Sequence, residues 1–319
     1  MEVRCWTLDV RLKYLSKIIQ RPTSKTMIII KLHGGLGNQL FQYAFAKALA
    51  KRLNTNFCLD ISFFEHQNPV ALLLRNYALN FFAATMPIAT KADIQAVCGS
   101  FSGWYVSPNL TDTRLRKQLS RAVGLPHYVA EPHFEYADLL PKNNAYYEGY
   151  WQSERYFKTI ESELRADLQF REPLEPAANA WLKQIQNSNS VCLHVRRGDY
   201  LALSNYVVLA PNYYQKAVQL LQNQTESPAI FVFSDDLAWC HQNLRFAVPT
   251  VFIPNFVNLR SEFELMCRCQ HHITANSSLS WWAAWLNSNP KKIVIAPETW
   301  FNDARNSIDL IPENWIKLV

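Results

Sequence analysis

The sequence predicts an α/β protein made of two parallel, doubly wound Rossmann-like units in tandem, with a cleft between them. Three observations carry that reading. At 319 residues the chain is long for one domain and suits two. Apolar runs of strand length alternate with stretches of helix length, most regularly from residue 190 to 297. A composition of 49% apolar and 18% charged residues describes a well-buried globular chain rather than a disordered one.

The elements follow in order. "MIIIKL" (27–32) reads as a buried strand, residues 38–53 as a helix apolar on nearly every side, and "NFCLD" (56–60) as a second strand. This order opens the first unit. Residues 61–126 are expected to be helices and loops, with "RLRKQLSRA" (114–122) a basic exposed helix. The stretch 127–157, dense in aromatics, Pro and Asn, reads as a cleft wall or interdomain connection too irregular for a core element. "REPLEPAA" (171–178) leads into a helix. Strands follow at 190–195, 229–234, 250–253, 271–275 and 291–297, with helices at 211–223, 236–245, 260–269 and 278–287 between them. A sheet wound this way takes its ligand at the strand C-termini. The expected divisions are a basic extension (1–26), a first unit (27–155) and a second (156–319).

Charge and composition exclude several classes. Of the net charge of +6, residues 1–26 supply +4, from six basic residues against Glu2 and Asp9. The near-neutral remainder argues against a nucleic-acid surface. Within the extension Leu8, Leu12, Leu15 and Ile19 recur at helical spacing among Arg11, Lys13 and Lys17. This is either a basic helix lying on a membrane surface, or a loosely packed extension upstream of Met27. The longest aliphatic runs, such as "VALLL" (70–74), fall far short of the ~20 residues of a membrane span, and residues 1–26 hold no signal-type apolar region. Seven scattered cysteines suit a reducing, cytoplasmic compartment better than a disulfide framework. "CRCQHH" (267–272) lacks a second Cys or His pair, so no metal site is expected there.

Four stretches carry chemistry. "HGGLGNQL" (33–40) sets Gly34, Gly35 and Gly37 between a strand and a helix, where glycine lets something approach the backbone closely. It is the start of a dinucleotide fingerprint without its third glycine, and Asp60 stands where a ribose partner belongs. A nicotinamide-dependent dehydrogenase and a plain packing turn are its two readings. In "HVRRGDY" (194–200), His194 and Arg196 lie two apart at a strand end and so point the same way. Arg196 and Arg197 make either a clamp matched to phosphate oxygens or a pair of surface salt bridges. "FSDD" (233–236) puts Asp235 and Asp236 at the same rim, to bind a purine edge or ribose, to hold a metal, or to cap a helix. "ITANSSLSWWAAWL" (273–286) sets Asn276, Ser277 and Ser278 before a helix, offering hydroxyls and free N–H groups to an anion; ordinary capping accounts for one of the serines.

Taken together, these stretches resemble glycosyltransferase family 11, the α-1,2-fucosyltransferases of bacterial type. The likeness runs through "GGLGNQLFQYAFAKALA" (34–50), "GYWQSERYF" (149–157), "HVRRGDY", "VFSDD" and "ELMCRCQHHITANSSLSWWAAWLN" (264–287), nearly the whole body from Met27. The H-x-R-R-x-D element is shared with α-1,6- and protein O-fucosyltransferases and so speaks for the donor, not the linkage. The "GGLGNQ" and "NSS-x-SWW" elements in combination are more specific to the α-1,2 family.

The resemblance implies a GT-B architecture with GDP-β-L-fucose held mainly by the second unit, and an inverting reaction that requires no metal or other cofactor. Arg196 would grip the β-phosphate, His194 and one of Asp235 and Asp236 would address the guanine, and Ser277 and Ser278 would bond the diphosphate. Asn38 would face the transferred sugar, and the glycines Gly34, Gly35 and Gly37 would bring that backbone up to it. The α-1,6 relatives place a glutamate base near the counterpart of "LALSN" (201–205), which holds no acid, so Asp199 is the first choice of base and His33 the second. Asp199 bonding its own turn is the structural alternative. A β-galactoside acceptor would meet Tyr150 and Trp151, with Tyr147 and Phe134 nearby, unless these aromatics are core. The rival readings are another fucosyl linkage, a dehydrogenase binding NAD through Asp60, and a non-catalytic glycan-binding module.

Overall fold

A computed structural model describes residues 26–65, 67, 74–105, 127–132, 134–255, 258–303 and 305–319. The expected helix at 114–122 and all but the last residue of the 1–26 extension lie outside the described residues. Two sheets organise the rest. The first contains β1 (Met27–Lys31), β2 (Asn56–Asp60), β3 (Tyr128–Ala130) and β4 (Tyr146–Glu148), in the order β2-β1-β4-β3. The second contains β5 (Asn189–Val195), β6 (Pro228–Ser234), β7 (Thr250–Phe252), β8 (His271–Ile273), β9 (Val294–Pro297) and β10 (Ile316–Leu318), in the order β10-β9-β8-β5-β6-β7. Every pairing within these sheets is parallel. In the second sheet the chain winds outward from β5 through β6 to β7, then returns to the other side of β5 and winds outward again. The switch point therefore lies between β5 and β8, where such sheets bind ligands.

The helices that matter to the site are α1 (Leu36–Leu53), α2 (Lys91–Cys98), α3 (Glu161–Asp167), α4 (Pro176–Gln186), α5 (Pro211–Gln222), α6 (Leu237–Asn243), α7 (Leu259–Arg268) and α8 (Ser278–Leu286). Proline opens α4 and α5, where the first turn has no use for its missing N–H. A capping box between Thr90 and Asp93 starts α2.

Helix α1 shows why its sequence lacks a polar stripe. One side packs on α8, with Phe41 centred 4.5 Å from Trp281 and 5.2 Å from Trp282. Another side stacks Phe45 on Trp151 at 4.1 Å with the rings 3° from parallel. A helix covered on several sides needs apolar residues all round. One apolar core consequently runs from Ile28 in the first sheet through α1 and α8 to Trp315 near the C-terminus.

The reading of 127–157 as too irregular for the core is overturned. Strand β4 sits between β1 and β3, and Tyr146, Tyr147 and Glu148 are buried. Strands of three residues are too short to show an alternation, and their tyrosines hid the burial because each hydroxyl has a partner. Tyr146 bonds Asp60, Tyr128 donates to Glu148 Oε2 at 2.7 Å, and Tyr147 donates to the Lys142 carbonyl at 2.9 Å. The edge strand β10 is an element the sequence reading lacked.

In "CRCQHH", Cys267 and Cys269 are buried free thiols, His271 Nε2 meets Asn189 Oδ1 at 3.1 Å, and His272 Nε2 meets Asn287 at 3.0 Å. Among the described residues no cluster of His, Cys, Asp or Glu has a metal-holding arrangement, and no helix is long and apolar enough to cross a membrane.

Candidate active site

Strands β5, β6 and β8 end side by side, and the segments leaving them carry residues 196–200, 235–236 and 274–278. Beside them opens a pocket of about 770 Å³. One wall is made by Arg196, Asp199, Tyr200, Ser277 and Ser278; the facing wall, on the first-sheet side, by Gly35, Gly37, Asn38, Arg75 and Gln152. Tyr150, Phe134, Tyr206, Phe301 and Arg305 give it an aromatic end.

A chain of ion pairs crosses the pocket. Asp235 Oδ2 lies 2.8 Å from Arg196 Nη1, Arg196 Nη2 donates to Asp199 Oδ1, and Asp199 Oδ2 accepts from Arg75 Nη2 at 3.1 Å. Asp199 thus joins an arginine from each side, with one guanidinium donor on each of its oxygens. Asp199 therefore bonds beyond its own turn to a distant loop while lining the pocket. Arg75 is pushed below the usual arginine range by burial and by the charge of Arg196.

The N-terminus of α8 opens onto the same pocket. Ser277, its cap residue, makes no side-chain bond to the first turn, so those N–H groups keep their outward donors. The other end of α8 is closed by cations. Lys292 Nζ donates to the carbonyls of Ala284, Trp285 and Asn287 at 2.7, 3.2 and 2.8 Å, and Arg165 donates to those of Trp285 and Leu286 at 2.6 and 3.1 Å. Burial and the charge of Arg165 lower Lys292 to about 8. The helix dipole is offset at its negative end and left open at its positive end, which faces the pocket.

The glycine turn does something other than expected. Gly34 has φ of +80°, a left-handed conformation that suits glycine. A β-carbon on Gly37 would lie 2.3 Å from the carbonyl carbon of Ser278 and 2.5 Å from the nitrogen of Leu279. What approaches Gly37 is the backbone of α8, not a sugar. Asn38 is held in the same contact, its Oδ1 accepting from Ser278 Oγ and from Gln152 Nε2, both at 2.8 Å. It lines the pocket as a fixed strut between the two halves.

Several expected residues are elsewhere. His194 is buried, does not line the pocket, and has no partner for Nδ1 among the described residues. Burial and the charge of Arg196 lower it to about 3. Strand β5 ends at Val195, so Arg196 lies beyond the pleat that would have aimed both side chains one way. Arg197 is engaged away from the pocket, pairing with Asp236 at 3.2 Å and lying 4.0 Å over the Trp239 ring. Asp236 caps α6 by accepting from Trp239 N, while Asp235 accepts from Arg197 N at 2.9 Å. Asn276 is fully buried and ties down the carbonyls of Val207 and Trp300. His33 packs edge-on against Tyr150 at 4.5 Å, supporting the wall rather than facing the space. Trp151, at 0% exposure, offers no face to an acceptor; Tyr150, at 37%, does. Asp60 is buried and bonded to Tyr146 and Ser62, so it is no ribose partner.

Sequence reasoning missed Arg75 and the two glutamines that build its surroundings. Gln39, fully buried, donates to the Asn76 carbonyl at 2.9 Å and accepts from Ala78 N at 2.9 Å, fixing the loop that carries Arg75. Gln42 accepts from His33 N at 3.0 Å and donates to the Gly149 carbonyl at 3.1 Å, fixing the turn that presents Tyr150. The available signal was two glutamines on the otherwise apolar flanks of α1, since buried amides bond other segments. Glu262 of α7 was missed too; burial and the charge of Asp235 push it up to about 7.

The sequence-family model for glycosyl transferase family 11 matches residues 123–319, more than half of the chain. The chain is also 31% identical over 306 residues to the O-antigen biosynthesis glycosyltransferase WbnK of Escherichia coli, covering 90% of this chain and 99% of that protein. The chain belongs to glycosyl transferase family 11. A second relative of this glycosyltransferase is an α-1,2-colitosyltransferase of Escherichia coli, 28% identical over 305 residues, covering 92% of this chain and 99% of that protein. The galactoside α-(1,2)-fucosyltransferase 2 of Mus musculus is 27% identical over 159 residues, 46% of either chain. Among solved structures, the α-1,6-fucosyltransferase NodZ soaked with GDP-fucose aligns with a TM-score of 0.50 at 15% identity, over 85% of this chain and 95% of that one. That likeness places the glycosyltransferase in the α/β fold of NodZ, in line with the GT-B expectation.

Proposed function

We propose that this glycosyltransferase moves L-fucose from GDP-β-L-fucose to the 2-hydroxyl of a terminal β-galactose, with inversion and without a metal ion. The observation that carries the reading is the convergence of Arg196 and the open N-terminus of α8 on one pocket at the switch point of the second sheet. The galactose oxygen attacks the fucose C1 while the bond from C1 to the β-phosphate oxygen breaks, and GDP departs with the electron pair. Negative charge builds on that phosphate oxygen, where Arg196 and the helix N-terminus are fixed to meet it without reorganising. The galactose hydroxyl gives up its proton to solvent water as its oxygen bonds to C1. Asp199 serves as the orienting partner of Arg196.

The aromatic end supports a sugar acceptor, because Tyr150 and Phe134 line the pocket with partly exposed rings against which a pyranose packs. The test is release of GDP from GDP-fucose on adding lactose-type acceptors, with and without EDTA, and with GDP-colitose as a competing donor. Acceptor-dependent release from GDP-fucose that EDTA leaves intact is expected. No release over a range of galactosides would refute the reading, and a preference for GDP-colitose would change the donor.

A further inference from the structure

Arg75 reaches the pocket from a loop outside both sheets, and three features hold it there. Gln67 accepts from its backbone N–H at 2.7 Å and donates to its carbonyl. Gln39 bonds Asn76 and Ala78 on the following turn. Gly35 lies beneath the guanidinium, 3.6 Å from Nη1 to the place a β-carbon would take. Burial, and after it the charge of Arg196, lower Arg75, while Asp199 between the two arginines acts the other way.

The bridging carboxylate gives the dimensions of an anion held by both arginines. Asp199 presents one oxygen to Arg196 Nη2 and the other to Arg75 Nη2. Two oxygens of a single phosphate are spaced much as the two oxygens of a carboxylate, and guanidinium groups bind both in the same planar fashion. Arg196 also spends Nη1 on Asp235, whereas among the described residues Arg75 ion-pairs through Nη2 alone. Arg75 lines the edge of a pocket that the α8 N-terminus also enters.

We propose that Arg75 is a donor-binding residue, forming with Arg196 a two-arginine clamp on the terminal phosphate of the nucleoside diphosphate, one arginine from either side of the pocket. The inference rests on the pocket being the site of a GDP-sugar. Asp199 sets the spacing of the clamp, and Gln39 and Gln67 position its first-sheet arm. The clamp also couples the two halves: the departing diphosphate holds both sides until it leaves.

The experiment is calorimetric titration of the full chain, as wild type, Arg75→Gln and Arg75→Lys, with GDP, GMP and guanosine. The expected result is that Arg75→Gln weakens GDP by at least about tenfold, the scale of a lost charged hydrogen bond, while GMP and guanosine change little. The ratio of GDP to GMP affinity then collapses, and Arg75→Lys restores part of it. A loop merely loosened by the substitution would weaken GDP and GMP together, and that outcome overturns the clamp. Unchanged GDP affinity overturns it as well. Wild-type protein that binds no guanine nucleotide would overturn the donor reading itself, a failure distinct from either.

Discussion

Gly37 and Ser278 are in backbone contact: a β-carbon on the glycine would stand 2.3 Å from the serine carbonyl carbon. One residue lies in the first turn of the helix that follows the first strand, and the other opens the helix that starts at the pocket. Their contact sets the width of the pocket, because Asn38 and Ser278 bond each other one residue further on. Gly37→Ala should therefore lower stability by about 3 kcal/mol, the upper part of the range for overpacking, and weaken donor binding as α8 is displaced. Gly103→Ala, with no atom within 4 Å of the added carbon, is the control and should leave the melting temperature unchanged. Equal behaviour of the two variants in thermal melts would contradict the contact.

Tyr150 and Trp151 separate two roles that adjacent aromatics otherwise confuse. The turn is unusual: Trp151 adopts φ of +56°, and Glu131 accepts from the backbone N–H groups of both residues at 2.8 Å. It sends the indole into the core and the phenol to the pocket. Trp151→Ala should cost about 3–5 kcal/mol in denaturant melts. Tyr150→Ala should melt near wild type, raise the KM for acceptor severalfold and leave the KM for donor alone.

His194 gives a pH signature. Its folded pKa of about 3 lies below the ordinary 6.5, so the unfolded chain binds the extra proton first. This contribution to stability is fully present above pH 6.5 and is lost as the pH falls through the window down to about 3. Relative to His194→Gln, the wild type should lose up to about 1.4 kcal/mol per pH unit in that window. Urea melts at pH 7, 5 and 4 measure the difference between the two proteins; a difference independent of pH would show that the imidazole titrates normally.

Arg196 is the arginine on which the chemistry depends. Arg196→Ala should reduce turnover at least about 100-fold, the scale of removing one fixed donor from a developing anion. It also leaves Asp199 and Asp235 without their shared partner, so Arg196→Lys, which keeps a charge between them, separates lost catalysis from lost structure. Stopped assays of GDP release with both variants check this, and activity of Arg196→Ala within twofold of wild type would remove the assignment.

Much of the fold was legible in the residues because long parallel-sheet strands are continuous apolar runs. "SVCLHV" and "AIFVFS" could be read as strands before any contact was known. Tyr128–Ala130 and Tyr146–Glu148 could not, since three residues carry no period and buried tyrosines look like surface ones until their hydroxyl partners are seen. In the site, Arg196, Ser277 and Ser278 announced themselves by their place at element ends. His194 is still within β5 and turned inward with the pleat, and Asn276, in the turn after β8, faces inward too, because which way a residue faces past a strand depends on the turn it enters. Arg75 had no such marker: its role depends on Gln39, Gln67 and Asp199 meeting from distant parts of the chain.

The most direct measurement is the linkage in the product made from GDP-fucose and a β-galactoside, determined by NMR. The account predicts an α-fucosyl residue on the galactose O2, with GDP formed in equal amount. A β-linked product, a fucosyl group on another hydroxyl, or GDP formed without transfer would contradict it.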